Sequence, residues 1–257
     1  MSDSTRIRLL STSLIVGFFL LWEVLCILLN VSDLVLPRPS EIIATMWTRF
    51  PVLWPHILQT LSSTLIGFAL GVTIGVTLGV IVGTSKVAYA VAYPLLVGFS
   101  SIPKVAVVPI FVLWFGSGTT PAILTAMVIC VFPIVVNIAT GLATTEPELE
   151  DVLKTLGASK SEILWNVGLP RAMPYFFASL KVAITLSFVG AVLSETVASN
   201  MGIGFVMMTA SSNFQVSLVF SGLILLALMG VGLYAIFSLL ERRVTGWATR
   251  GNDIALT

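Results

Sequence analysis

Few residues in this chain could make or break a covalent bond. One histidine and two cysteines occur among its 257 residues. His56 follows Pro55 where an apolar stretch begins, a place where an imidazole serves as a helix-start hydrogen bonder. Cys26 and Cys130 lie inside apolar runs with no neighbouring Cys or His, so they read as packing residues and not as a disulfide or metal framework. The sequence holds no G-x-x-x-x-G-K-[ST] phosphate loop, no H-E-x-x-H and no G-x-S-x-G. Nucleotide binding by a P-loop and embedded hydrolysis therefore have no residues to carry them. What remains is recognition. Glu195, in Leu193-Ser194-Glu195-Thr196, is an ionisable group in apolar surroundings, which is expensive unless it is paired, hydrated or used. Lys104, after Ser101-Ile102-Pro103, can favour an anion near a solute path, pair with Glu195, or reach outward to polar headgroups. Glu23, after Trp22, is explained by a hydrogen bond to a neighbour.

The elements that must position these groups follow from composition. The chain is 57% hydrophobic and 10% charged, with a mean hydropathy of +1.05. Soluble domains carry roughly 25% charged residues, so the solvent over most of this surface is lipid. A net charge of +1 points to no nucleic-acid partner. Six apolar segments approach the roughly 20 residues that a helix needs to span a bilayer: 9–29, 57–83, 87–114, 121–141, 172–197 and 216–240. The expected fold is an all-α membrane protein of six transmembrane helices, one domain over 1–257 with its core at 57–240. With both termini cytoplasmic, the inner side holds Arg6, Arg8, Lys86, Lys154, Lys160, Arg171, Arg242, Arg243 and Arg250, and Lys181 can snorkel to it. The outer side keeps Arg38, Arg49 and Lys104. Within 31–56, Ser40 is expected to cap a short interfacial helix carrying Trp47 and Trp54.

Two spans have unusual patterning. Gly67, Gly71, Gly75, Gly79 and Gly83 recur every fourth residue, a ridge that lets two helix backbones approach closely, here expected within the chain. The third span contains Pro94, Pro103 and Pro109, which predicts a broken helix of the kind tolerated where protein or a water-filled cavity serves the freed backbone groups.

The longest polar stretch between two spans is 145–170. Thr145 with Glu148, and Ser159 with Glu162, fit capping boxes, and Pro147 suits a first helical turn. Gly157 offers a left-handed exit between the two helices, and the second should end or bend before Pro170. This knuckle resembles the EAA loop of ABC importer permeases through Asp151-Val152-Leu153, Gly157 and Val167-Gly168-Leu169-Pro170, with Asp in place of Glu and larger aliphatics in place of two alanines. Leu36-Pro37-Arg38-Pro39-Ser40-Glu41-Ile42 and the run from Ser101 to Trp114-Phe115-Gly116 resemble the nitrate, sulfonate and taurine branch of that family, as does an acidic residue at Glu195.

The resemblance implies a type I importer permease whose coupling helix docks on a cytoplasmic ATPase through Asp151, Val152, Leu153, Gly157, Ala158, Ser159, Leu169 and Pro170. A solute path is expected beside Ser101, Pro103, Lys104, Ser194 and Glu195. No cofactor is expected on this chain, since ATP and Mg would sit on a pair of partner ATPase subunits. The other implied partners are a second permease copy and a periplasmic or lipid-anchored substrate-binding protein, in a bacterial inner membrane. The rival reading is a secondary transporter or channel driven by an ion gradient. It would need embedded ion ligands, for which Glu195 and Glu23 are the acidic candidates, and two related halves, which the sequence does not show.

Overall fold

The computed structural model describes residues 3–143 and 147–249, and among these it is helical, with no strand. The helices are α1 (Asp3–Leu28), α2 (Pro39–Gly83), α3 (Lys86–Ser101), α4 (Val108–Phe115), α5 (Thr119–Ala143), α6 (Pro147–Thr155), α7 (Lys160–Ile163), α8 (Leu169–Ala198), α9 (Ile203–Ser212) and α10 (Val216–Thr249).

The glycine ridge decides the core. A methyl group on Gly67 would meet Ala126, on Gly71 the Cys130 sulfur, on Gly75 Ile134, on Gly79 Ile138 and on Gly83 Leu142. Two stripes with the same four-residue period thus lie against each other for the length of α5, so the ridge works inside the chain. α8 closes the third side. Gly141 lies against Tyr175 and Gly190 against Ala126, while the Ser187 hydroxyl donates to the carbonyl of Thr64 at 3.0 Å. Phe68, Ile134, Ile138, Ile184 and Phe188 fill the space between, and Leu233 of α10 covers it.

The pairings fix direction. Numbers rise together along α2 and α5, and along α2 and α10, where Ile42 meets Ser221 and Phe68 meets Phe237. They run opposed along α2 and α8. Since α2 and α5 are parallel, the chain between Gly83 and Thr119 must return across the bilayer. α3 and α4, joined by a 3₁₀ turn at Lys104–Val107 and bent by 79°, make that crossing as one broken span. Five candidate spans and this pair, taken as one, give the expected six among the described residues.

One local expectation needs correction. Ser40 does not cap a short separate helix. α2 runs unbroken for 45 residues through Pro51 and Pro55. Those two prolines deny donors to the carbonyls of Trp47 and Pro51, but these residues are exposed, where solvent or headgroups can serve the carbonyls. The cap on α2 comes from α1: the Glu23 carboxylate accepts from the Ser40 backbone N–H at 3.0 Å and from its hydroxyl at 2.7 Å. Before Pro170 the regular helix gives way, as expected, through a local change of turn. Leu164–Gly168 forms a wider π turn, with the Leu169 N–H donating to the Leu164 carbonyl, and the extra residue makes room for the proline ring as α8 begins. The Lys181 ammonium pairs with the Glu241 carboxylate of α10 at 2.6 Å.

Candidate functional site

The knuckle is built as its sequence suggests. α6 ends at Gly157, whose φ is +83°. The Ala158 N–H donates to the Leu153 carbonyl at 3.0 Å and the Gly157 N–H to the Lys154 carbonyl at 3.0 Å, the paired bonds of a glycine-terminated helix. The next helix opens on a reciprocal capping box. The Ser159 N–H donates to the Glu162 carboxylate at 2.8 Å, and the Glu162 N–H donates back to the Ser159 hydroxyl at 3.3 Å. These bonds from Ser159, its backbone first and then its hydroxyl, hold the Glu162 carboxyl below the usual carboxylate range. The other proposed box, on Thr145, lies outside the described residues.

One half of the knuckle is anchored and the other stands clear. Ile163 is buried, Leu164 packs on the core, and a methyl on Gly168 would touch Leu142. By contrast Val152 is 57% exposed, Leu156 77% and Trp165 68%. Asp151 and Ser159 are exposed, Leu153, Ala158 and Leu169 are half-buried, and Pro170 is exposed. Large apolar side chains thus stand exposed on a short polar segment. Six of the eight residues named from the sequence, Asp151, Val152, Leu153, Gly157, Ala158 and Ser159, lie on this segment, while Leu169 and Pro170 open α8.

The five residues expected along a solute path fall into two places. Ser101, Pro103 and Lys104 are at the break between α3 and α4. The Lys104 ammonium donates to the Ser100 carbonyl at 2.7 Å and stands 5.4 Å over the Phe132 ring. It does not pair with Glu195. Ser194 and Glu195 lie at the other end of the molecule from the knuckle, 1% and 2% exposed.

Glu195 belongs to a clasp that sequence reasoning did not assemble. The Thr60 hydroxyl donates to the Glu195 Oε2 at 2.8 Å and accepts the Ile203 N–H at 2.9 Å. The Gly204 N–H donates to the same Oε2 at 3.2 Å, and the Gly202 N–H donates to His56 Nδ1 at 3.1 Å. The start of α9 is therefore held by α2 and α8. Gly202 has φ +106°, and a methyl there would fall on the Glu195 carboxyl. The signal was present as an isolated acid, an isolated imidazole and the Gly202-Ile203-Gly204 run, but about 140 residues separate the partners.

The chain is thus a multi-pass helical body with a capped polar knuckle at one end and the fastened α9 at the other. Residues 71–246 match the family described as the binding-protein-dependent transport system inner membrane component. The chain belongs to this family, the permease subunits of ABC importers for small solutes, whose partners are an ATPase and a binding protein. It is 34% identical over 230 residues to a probable ABC transporter permease of Haemophilus influenzae, covering 89% of this chain and 94% of the relative. It is 36% identical over 228 residues to the riboflavin transport permease RibX of Chloroflexus aurantiacus, covering 88% and 85%. Permeases named for taurine, aliphatic sulfonates and nitrate are also among its relatives. The fold matches a chain of the MetNI methionine ABC transporter with a TM-score of 0.62 at 19% identity, covering 79% of this chain and 98% of that one.

Proposed function

We propose that this chain forms, with a second copy of itself, the translocation path of an ATP-driven importer for a small polar, anionic or aromatic solute delivered by a soluble binding protein. ATP and Mg would be held by two ATPase subunits docked on the knuckles. Both termini and the knuckle would face the cytoplasm, with the Glu195 clasp on the outer side. Binding of ATP would close the ATPase pair, shift the knuckles and exchange the path between its two openings. Such coupling needs a contact that differs between the two states and a lever stiff enough to pass it on. The observation that carries this reading is the knuckle itself, two short helices fixed by the Gly157 turn and the Ser159–Glu162 box, with Val152, Leu156 and Trp165 presented outward.

In the conformation described, Ser101 is exposed while Ser194 and Glu195 are closed off. We place the path beside the α3–α4 break, and Ser194 and Glu195 would reach it once α9 lifts from its clasp. Glu195 Oε1 and the Ser194 hydroxyl have no hydrogen-bond partner among the described residues. Buried groups left unpaired raise the free energy of the closed arrangement, which favours opening.

The experiment is to assemble the permease with its ATPase in vesicles and replace Gly157 by valine. A β-branched residue cannot hold φ +83° without strain, so the turn should deform and solute-stimulated hydrolysis should separate from uptake. Uptake should fall about tenfold or more while the ATPase remains bound. Normal uptake with normal stimulation would remove the coupling role.

A further inference from the structure

The break between α3 and α4 opens on a cavity of ≈ 310 Å³ whose walls are more specific than a solute path requires. Ser100 and Lys104 come from the break, and Ile129, Phe132, Pro133 and Asn137 from α5. Its volume is at the small end of the range for ligand pockets, roughly 300–1,000 Å³.

Three groups on the wall have capacity to spare. The Lys104 ammonium gives one bond to a neutral carbonyl and faces the Phe132 ring, and no carboxylate pairs with it among the described residues. Pro133 has no N–H, so the Ile129 carbonyl lacks the donor that an unbroken helix would give it. The Asn137 amide donates one bond to the Pro133 carbonyl at 2.7 Å, which leaves a second N–H and its own oxygen. Phe132 adds a flat apolar face, already stacked on Phe99 at 6.3 Å between centroids.

The chemistry of a matching ligand follows. An ammonium held by a neutral carbonyl and a ring gains by exchanging those contacts for an oxyanion, because in a dry site the attraction of two opposite charges exceeds either. A ring next to the charge rewards a flat body. We propose that this cavity is a solute-binding station within the membrane, selective for a small sulfonate or carboxylate carried on a planar apolar group, with Lys104 reading the charge and Phe132 the plane. The proposal rests on the permease reading and deepens it, because a path alone would need no selectivity of its own. Specificity would then be shared between this chain and the binding protein.

The test uses the permease assembled with its ATPase subunits in nanodiscs, without binding protein, both nucleotide-free and vanadate-trapped. Four probes are titrated by ligand-observed NMR: benzenesulfonate, benzamide, benzylamine and ethanesulfonate. Benzenesulfonate should bind most tightly in at least one state, and benzylamine should not bind. Lys104→Met should weaken benzenesulfonate about tenfold or more, with Lys104→Arg keeping most of the affinity. Phe132→Leu should erase the advantage of benzenesulfonate over ethanesulfonate. That change of preference would not follow from a merely structural role, and it remains decisive if Lys104→Met fails to assemble. Equal binding of benzylamine, an unchanged preference in Phe132→Leu, or no binding of any probe in either state would overturn the proposal. Uncoupling by Gly157→Val would stand unaffected by such a result, so the two readings fail separately.

Discussion

Thr60 shows how much one hydroxyl can do in a dry setting. It donates to Glu195 and accepts from the Ile203 backbone, so a single side chain joins α2, α8 and the start of α9. Thr60→Val keeps the shape and removes both bonds, leaving the Ile203 N–H buried without its partner. We expect a loss of about 1–3 kcal/mol in the stability of the purified chain, read by thermal or denaturant unfolding, with Thr60→Ser close to wild type. An equal loss in both variants would mean that packing, not hydrogen bonding, matters there. The clasp was not legible in the sequence as a unit. Glu195 and His56 were each conspicuous as polar residues in apolar runs, but the chain gives no local sign of which distant backbone they serve. The cap on α2 was misread for the same reason. Ser40 has the right type for a cap, yet the helix begins one residue earlier, and a carboxylate from α1 supplies the acceptor.

At the scale of the element, periodicity carried further. The four-residue spacing of the glycines told that α2 has one face made for close approach, and the stripe Ala126, Cys130, Ile134, Ile138, Leu142 on α5 has the same spacing. Their pairing follows from matched ridges within the chain, as expected, although a second copy of the chain could also carry a partner stripe. A mutant cycle separates the two. A methyl on Gly71 would occupy the space of the Cys130 sulfur, so Gly71→Ala alone should cost about 1–3 kcal/mol despite the better helix propensity of alanine. Adding Cys130→Ala should restore most of it, measured as non-additivity in unfolding. Strict additivity would contradict the assigned pairing. The knuckle was the most legible element, because capping and turn signals act over a few residues. The proline rules were less specific. They found the break at Pro103 and an end or bend before Pro170, but gave no sign that a π turn would absorb the ring there.

At the scale of the whole molecule, the parallel run of α2 and α5 forces the broken span to cross, and this sets the knuckle and the clasp at opposite ends. A body of this kind can transport if ATP-driven motion of the knuckle end changes what is open at the clasp end. Accessibility should report it. Cys26 and Cys130 are both buried, so the wild-type chain is a suitable blank. In the assembled transporter, Ser101→Cys should react with a water-soluble thiol reagent in the nucleotide-free state. Ser194→Cys should be inert there and become reactive when the ATPase is trapped with vanadate. Inertness of both in every nucleotide state would place the path elsewhere.

The central claim is that the knuckle is the lever moved by a cytoplasmic motor, and Leu156, 77% exposed at its tip, gives the most direct measurement. Leu156→Cys and Phe214→Cys, the latter at the clasp end and 76% exposed, are compared in intact spheroplasts and in the purified complex. The account predicts that an impermeant thiol reagent labels Phe214→Cys from outside while Leu156→Cys is protected. It also predicts that Leu156→Cys alone forms a cross-link to the ATPase subunit. Labelling of Leu156→Cys from outside, or an ATPase cross-link from Phe214→Cys, would contradict it.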